Sequence, residues 1–245
     1  NSGQTCVAIE RVYAAAPIYD ALRDRIVAIA GTLRQGEPTS FDTDVGAMPF
    51  ERQLEVVRSQ VEDAKRRGAR ILCGGAPPNR PGRFFAPTVI EGDLHEADVV
   101  KMETFGAVIP LVRVADEEEA IRWHNESHLG LQSYVFCGSI GRGRAIARRL
   151  ESGMVMVNDV LSTYALIEAP WGGVKQSGLG RTHGEDGLRE ACQQRYVSSP
   201  KRFVPWFAKE EWWYPYSKAT FDKWLGIVRK VYGKGVVGTI VRWFF

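Results

Sequence analysis

Short apolar runs alternate along this chain with longer segments in which apolar residues recur at helical spacing. The helical spacing predicts helices over residues 19–33, 51–67 and 144–150, and the short runs predict strands over 71–73, 84–90, 107–114, 134–137 and 154–158. Asp116 is expected to cap a further helix, because three glutamates follow it directly. Strands that alternate with helices predict an α/β domain with a mostly parallel sheet and flanking helices.

The composition is that of a folded globular chain, with 245 residues of which 44% are hydrophobic and 25% charged. The cysteines are few and widely spaced, without a pair or cluster at metal-ligand spacing: Cys6, Cys73, Cys137 and Cys192. This usage predicts free thiols, a reducing and therefore cytoplasmic location, and no metal site. The longest apolar run near the C-terminus, residues 235–240, is far shorter than the roughly 20 residues that span a bilayer, so no transmembrane helix is expected.

The last part of the chain is basic and rich in aromatic residues. Residues 205–245 hold seven Lys or Arg and three acidic residues, so the net charge of +3 belongs to this tail and no nucleic-acid partner is expected. From Ser217 onward, apolar residues at helical spacing predict an amphipathic helix with basic neighbours. Such a helix can make a peripheral membrane contact, or it can pack on the protein itself or on a partner subunit, and both alternatives stay open.

The first eight residues place a cysteine in a loop that contains glycine. A cysteine is nucleophilic as its thiolate, and Gly3 permits a tight backbone whose N–H groups can stabilise an oxyanion formed by attack of Cys6. Taken alone, this loop is more typical of a small buried thiol. The histidines all have polar neighbours, which predicts solvated surface positions for His95, His124, His128 and His183.

Six short segments along the chain form one ordered set of motifs. They are Asn-x-Gly-Gln-x-Cys-x-Ala-x-x-Arg at 1–11, Gly-x-Phe-x-x-Pro-Thr-Val at 82–89, Glu-x-Phe-Gly at 103–106, a Gly-Leu strand entry at 129–136, Pro-Trp-Gly-Gly-x-Lys-x-Ser-Gly at 170–178, and a glutamate-containing turn at 184–188. The set resembles the NAD(P)-dependent aldehyde dehydrogenase family over residues 1–198. The resemblance implies the catalytic domain of that fold.

This resemblance implies a nucleophile and part of a cofactor site. Cys6 would add to an aldehyde, giving a thiohemiacetal that passes hydride to NAD or NADP and becomes a thioester, from which water releases a carboxylic acid. Glu103 would accept hydrogen bonds from the nicotinamide ribose, and Phe105 would pack near the nicotinamide ring. Gln53 stands where the family contacts the adenosine half of the cofactor. A solvated acid for Glu103 and an exposed helix residue for Gln53 are the alternatives.

The resemblance also implies a substrate tunnel. Trp171 falls where the family has a phenylalanine beside the thiol, so it is expected to form a tunnel wall, with a plain core tryptophan as the alternative. Tyr164 and Leu166 are candidates for the same tunnel. The tail resembles the hydrophobic C-terminal extensions of fatty-aldehyde dehydrogenases, which favours a medium- or long-chain aldehyde as substrate. A homo-oligomer is expected.

Two domains are predicted: an N-terminally truncated catalytic domain over residues 1–198 and an aromatic, basic tail over residues 199–245. In the family, the dinucleotide-binding domain, the general-base glutamate and the oxyanion asparagine precede the cysteine loop. Little or no turnover is therefore expected from this chain alone. Two alternatives remain: a CoA-acylating aldehyde dehydrogenase, in which a thiol takes the acyl group, and an inactive fragment that binds a membrane or a subunit.

Overall fold

The computed structural model describes residues 1–37, 39, 41–197, 199 and 217–232. The chain divides into two compact units, Asn1–Gln193 and Gln194–Phe245. The first unit contains all the described strands, and the second contains one described helix. Of the tail predicted over residues 199–245, the parts at 200–216 and 233–245 lie outside the described residues.

A four-stranded sheet with the order β1-β4-β3-β2 organises the first unit. Its strands are β1 (Val12–Ala15), β2 (Arg70–Cys73), β3 (Thr88–Glu91) and β4 (Val108–Val114). β4 pairs in parallel with β1 on one side and with β3 on the other, whereas β2 pairs antiparallel with β3 at the edge. The prediction of a mostly parallel sheet is therefore confirmed.

Two long helices cover the opposite faces of this sheet: α1 (Ala16–Thr32) and α2 (Glu51–Arg66). Leu111 of β4 packs in the cluster with α1, and its neighbour Val112 packs in the cluster with α2. Successive strand residues point to opposite faces, which accounts for this division. The predicted apolar face of α2 is confirmed, with no more than 1% exposure at Leu54, Val57, Val61 and Ala64.

Shorter elements complete the first unit. Two small sheets pair β5 (Leu129–Gly130) antiparallel with β8 (Val174–Lys175), and β6 (Gln132–Val135) in parallel with β7 (Met154–Val157). The helical elements are α3 (Asp98–Lys101), α4 (Glu117–Asn125), α5 (Ile140–Ala147), a 3-10 turn (Ser162–Ala165) and α6 (Gly184–Glu190). The predicted cap of α4 is confirmed, since the Asp116 carboxylate accepts from the N–H of Glu119 at 2.9 Å.

Helix α5 begins four residues earlier than the sequence pattern predicts. The glycines in its first turns hide the helical spacing, yet the helix forms because the Ser139 hydroxyl accepts from the N–H of Arg142. Gly143 also has a packing role. A Cβ there would lie 2.5 Å from Cγ1 of Val157, so the helix can approach β7 only with glycine at this position.

The described helix of the second unit is α7 (Lys218–Tyr232). Its predicted cap is confirmed, because the Ser217 hydroxyl accepts from the N–H of Thr220 at 3.1 Å. Lys218 and Asp222 form an ion pair one turn apart on its surface. Within the described ranges, no helix combines the length and the apolar character that crossing a membrane requires.

The prediction that the histidines are solvated is wrong for His95 and His124, and also for His183, whose Nδ1 is buried. The His95 ring stacks on Trp123, with centroids 4.5 Å apart, and its side chain is only 12% exposed. His124 is half-buried, and its Nε2 lies 3.1 Å from the hydroxyls of both Ser133 and Ser152. Polar sequence neighbours did not reveal this burial, because the covering residues come from other elements.

Burial gives His124 a pH-dependent role in stability. Loss of solvent disfavours the imidazolium, and the charges of Arg11 and Lys175 add to the effect, so the pKa of His124 falls from its ordinary 6.5 to about 4. A lowered pKa in the folded state means that the stabilisation is complete above the unfolded pKa. It is lost as the pH falls through the folded pKa.

We therefore expect the free energy of unfolding to fall between pH 6.5 and pH 4, by up to about 3 kcal/mol from His124 alone. Urea unfolding across this range should show the decrease in the wild-type chain. The variant His124→Gln, which cannot be protonated there, should have a flatter profile. Superimposable pH profiles for the two proteins would contradict this assignment.

Candidate active site

The parallel pairing of β1 with β4 brings two loops to one edge of the main sheet. The loop that contains Cys6 leads into β1 at Val12, and the segment 103–106 leads into β4 at Val108. Parallel neighbours have their amino ends at the same edge, so the thiol loop and the predicted cofactor segment meet there. Residues almost 100 positions apart in the sequence thus form one site.

The thiol loop is a compact pair of turns. The N–H of Gln4 donates to the carbonyl of Asn1, and the N–H of Ala8 donates to the carbonyl of Thr5, both at 2.9 Å. Cys6 lies within the second turn and is exposed. The fold therefore presents this thiol to solvent, and the interpretation of Cys6 as a small buried thiol does not apply.

Gly3 places this loop directly on the backbone of the segment 103–106. Its φ is +74°, and a Cβ at this position would lie 2.1 Å from the carbonyl oxygen of Gly106. No side chain fits in that gap, and the left-handed φ also favours glycine. The family motif requires glycine here for a reason that is visible in the structure.

The segment 103–106 is held by side chains that bond to its backbone. Thr104 is fully buried, and its hydroxyl donates to the side-chain oxygen of Gln60. The Gln60 amide donates in turn to the carbonyl of Glu103 at 3.0 Å. The carboxylate of Glu10 accepts from the N–H groups of Thr104 at 3.2 Å and Phe105 at 2.7 Å. The side chain of Glu103 remains exposed on a rigidly supported backbone.

Gln53 supports the same segment from helix α2. Its side-chain amide donates to the carbonyl of Thr104 at 2.6 Å. The structure thus places Gln53 against the backbone that carries Glu103 and Phe105. Direct contact with the adenosine half of a cofactor stays a prediction for this residue.

On the other side of Cys6, a chain of hydrogen bonds leads towards the predicted substrate tunnel. The Tyr134 hydroxyl donates to the carbonyl of Val7, the residue after Cys6, at 2.6 Å. Gln132 donates to that hydroxyl and accepts from the hydroxyl of Thr163, each at 2.7 Å. Burial raises the pKa of Tyr134, so this phenol stays protonated and keeps its donor role.

The chain of bonds ends at an aromatic cluster that contains two of the three predicted tunnel residues. The ring of Tyr164 meets Trp171 edge-on with centroids 5.5 Å apart, and it lies 5.3 Å from the ring of His183. Trp171 is fixed by two backbone hydrogen bonds with Thr182, both 2.7 Å long. Leu166 is about half exposed just after the 3-10 turn.

Several residues of this site were not singled out from the sequence: Glu10, Gln60, Gln132 and Tyr134, while His183 was interpreted only as a solvated histidine. Their roles depend on partners that are distant along the chain, and the periodic patterns carry no signal for such contacts. Glu10 stands at an unspecified position of the motif at 1–11, so that motif gave no signal for it. Among the described residues, no group of three or more His, Cys, Asp or Glu side chains is arranged to hold a metal ion.

Comparison with known proteins gives the same assignment for most of the chain. The family model described as "Aldehyde dehydrogenase family" matches residues 1–197. The putative succinate-semialdehyde dehydrogenase [NADP(+)] 2 of Mycobacterium ulcerans is 35% identical over 205 residues, which are 83% of this chain and 40% of that protein. Succinate-semialdehyde dehydrogenase [NADP(+)] 1 of Mycobacterium tuberculosis is 39% identical over 197 residues, which are 80% of this chain and 43% of that protein.

Solved structures share the fold as well. Betaine aldehyde dehydrogenase from Staphylococcus aureus, in complex with NAD+, superposes with a TM-score of 0.76 at 31% identity, covering 83% of this chain and 42% of that one. Succinate-semialdehyde dehydrogenase from Burkholderia pseudomallei superposes with a TM-score of 0.73 at 39% identity, covering 77% of this chain and 39% of that one.

The extent of these matches shows how much of a relative's length the chain corresponds to. It spans about two fifths of the length of the curated relatives, and the match includes both the thiol loop and the segment 103–106. The motifs and the mostly parallel sheet all lie within residues 1–197, which the family model matches. This chain belongs to the aldehyde dehydrogenase family.

Proposed function

We propose that this chain carries the nucleophile of an NAD(P)-dependent aldehyde dehydrogenase, with Cys6 as the residue that attacks the aldehyde. The observation that supports this most directly is the contact of the exposed Cys6 loop with the segment 103–106, through Gly3 and Gly106. It brings the loop that contains Cys6 against the segment that contains Glu103 and Phe105, the two residues predicted to face the cofactor. Because the chain spans only part of its relatives, turnover by this polypeptide is itself part of the proposal.

The residues present fit one end of a nicotinamide cofactor. Glu103 offers an exposed carboxylate that can accept bonds from ribose hydroxyls, and Phe105 offers a half-buried ring beside it. Their backbone is fixed by bonds from Gln53, Gln60 and Glu10. When bound, NAD or NADP supplies the acceptor for the hydride. Both remain in the proposal, since the Mycobacterium relatives are named for NADP(+) and the Staphylococcus structure holds NAD+.

The chemistry of the chain's own residues is centred on the sulfur atom. The thiolate of Cys6 forms a bond to the carbonyl carbon, and the carbonyl electron pair moves to oxygen. N–H groups of the tight loop can donate to this oxyanion. Once the hydride has left the carbon, the carbonyl re-forms as a thioester on Sγ. Addition of water then releases a carboxylic acid and returns the thiol.

Two classes of aldehyde suit different features of the chain. The buried Nε1 of Trp171 and Nδ1 of His183 have no hydrogen-bond partner among the described residues, so an aldehyde with a polar acceptor at its far end can pair with them. Two relatives are named for succinate semialdehyde, an aldehyde of this class. The resemblance of the tail to fatty-aldehyde dehydrogenases favours a medium- or long-chain aldehyde instead.

The proposal assigns a contact role to the tail. In helix α7, Phe221, Val228 and Tyr232 are exposed, while Lys218 and Arg229 add basic charge. An amphipathic basic helix of this kind suits peripheral contact with an anionic membrane, and a homo-oligomer contact is the alternative. A cytoplasmic enzyme with a peripheral membrane contact fits the proposal as a whole.

The first prediction concerns addition of the aldehyde to Cys6. We expect an aldehyde to protect Cys6 from iodoacetamide, because a thiohemiacetal removes the free thiol. Alkylation should slow about tenfold at an aldehyde concentration about ten times its dissociation constant. Mass spectrometry of tryptic peptides gives the rate at each cysteine.

Cys192 is the matched control, since it is also exposed, and its alkylation rate should not respond to the aldehyde. In a preparation that forms NADH from an aldehyde, Cys6→Ser should abolish the activity. Equal protection of Cys6 and Cys192 would show that the loop has no specific affinity for the carbonyl group.

The second prediction separates the two substrate classes at Trp171. Trp171→Phe keeps an aromatic wall but deletes the indole N–H. If that group pairs with an acidic end, the concentration of succinate semialdehyde that protects Cys6 should rise about tenfold, as expected for a lost buried hydrogen bond. The concentration of hexanal that protects Cys6 should not change.

Trp123→Phe is the control, because Trp123 stacks on His95 outside this cluster and should change neither value. An equal rise in the protecting concentration of both aldehydes would assign Trp171 to the tunnel wall without a polar contact. An unchanged protecting concentration for both aldehydes would show that Trp171 is a core residue.

The third prediction concerns the tail. We expect the full chain to float with liposomes that contain anionic lipid and to float less at high salt, because the basic residues provide part of the attraction. Removal of residues 205–245 should abolish flotation. If the intact chain does not float and the deletion instead reduces the oligomer mass measured by light scattering, the tail is a subunit contact.

A further inference from the structure

We propose that Glu10 is a positioning residue that locks the backbone of Thr104 and Phe105, and thereby sets the side chains of Glu103 and Phe105 relative to Cys6. The part that concerns the cofactor rests on the proposed function. The part that concerns the backbone rests on geometry alone.

Glu10 connects the two loops of the site through its side chain. It lies four residues after Cys6, in the stretch that leads into β1. One of its carboxylate oxygens accepts from the N–H of Phe105 at 2.7 Å, and the other accepts from the N–H of Thr104 at 3.2 Å. A single side chain attached to the nucleophile loop therefore holds two successive peptide groups of the segment 103–106.

The conformation of Phe105 explains why such a restraint is needed. Its φ is +50°, in the left-handed region that a residue with a bulky side chain rarely adopts. Such a conformation persists only when the surroundings impose it. Gln53 and Gln60 bond to the carbonyls of Thr104 and Glu103, so they leave the N–H of Phe105 to Glu10.

The chemistry of the Glu10 carboxylate also favours a role in positioning the segment 103–106 over a role in stabilising the fold. Burial raises the pKa of Glu10, and the nearby charge of Glu103 adds to this effect, while the two N–H donors oppose it. Burial of a carboxylate is unfavourable in itself. The Glu10 carboxylate supplies two acceptor oxygens in one rigid plane. A glutamine side chain of the same shape has only one acceptor oxygen.

Amide hydrogen exchange in the full chain, measured by NMR, tests the proposal without a cofactor. In Glu10→Ala, protection of the Thr104 and Phe105 amides should fall by about tenfold to a hundredfold, as expected for loss of bonds to a charged acceptor. In Glu10→Gln, the single carbonyl oxygen should keep most of the protection at one of these amides and lose it at the other. This graded response distinguishes positioning from a general loss of packing.

Tyr19→Phe is the matched control. The Tyr19 hydroxyl donates to Glu91 and to the carbonyl of Leu111, so this change also removes a buried hydrogen-bonding group, but it leaves the segment 103–106 untouched. In Tyr19→Phe, the protection of the Thr104 and Phe105 amides from exchange should equal that in the wild type after correction for global stability. If Glu10→Ala does not fold, Glu10→Gln decides the test. Unchanged protection in Glu10→Gln at both amides would overturn the proposal.

Alkylation of Cys6 in the same variants reports on the coupling between the loops. We expect Glu10→Ala to change the iodoacetamide rate at Cys6 by several fold and to leave the rate at Cys192 unchanged. An exchange effect together with absent aldehyde protection of Cys6 would leave the positioning role intact and reject the proposed function. Aldehyde protection together with unchanged amide exchange would reject the positioning role alone.

Discussion

The site depends on a contact between two backbones, that of Gly3 with the carbonyl of Gly106. A Cβ on Gly3 would lie 2.1 Å from that carbonyl oxygen, so the distance between the thiol loop and the segment 103–106 is fixed by the two main chains. Ser2 and Gly3 both adopt positive φ to reach this position. Main-chain geometry thus limits how closely the two loops approach, and within that limit the Glu10 carboxylate holds the peptide groups of the segment 103–106.

This contact exists because of the sheet beneath it. β1 and β4 are parallel neighbours, so the loops that precede them emerge at the same edge. Val108 and Val112 of β4 are buried, and α2 covers this face of the sheet with a continuous apolar stripe. The same helix provides Gln53 and Gln60, which reach the segment 103–106 from its polar margin. One helix therefore contributes to the core through one side and to the site through another.

Periodic patterns in the sequence predicted the local elements well but gave no information about their neighbours. α2 and β4 were predicted because each has a strong apolar pattern, whereas β1 has only four residues and was missed. Without β1, the meeting of the two loops cannot be derived, and Cys6 could be placed beside Glu103 only through the family resemblance. The bonds from Glu10 and Tyr134 span 95 and 127 residues of sequence, so local patterns hold no trace of them. The histidines were misjudged for the same reason.

The two sides of Cys6 are held in different ways, and this difference bears on how one fold serves several aldehydes. Towards the segment 103–106, the two peptide groups that join Glu103, Thr104 and Phe105 are bonded to buried or half-buried side chains, which leaves little freedom. Towards the aromatic cluster, a single line of hydrogen bonds through Tyr134 and Gln132 ends at an exposed turn that carries Tyr164. Under the proposed function, changes in that turn can reshape the surface met by a substrate and leave Cys6 in place. Relatives named for succinate semialdehyde and for betaine aldehyde share the fold of this chain, as expected if specificity lies on the loosely held side.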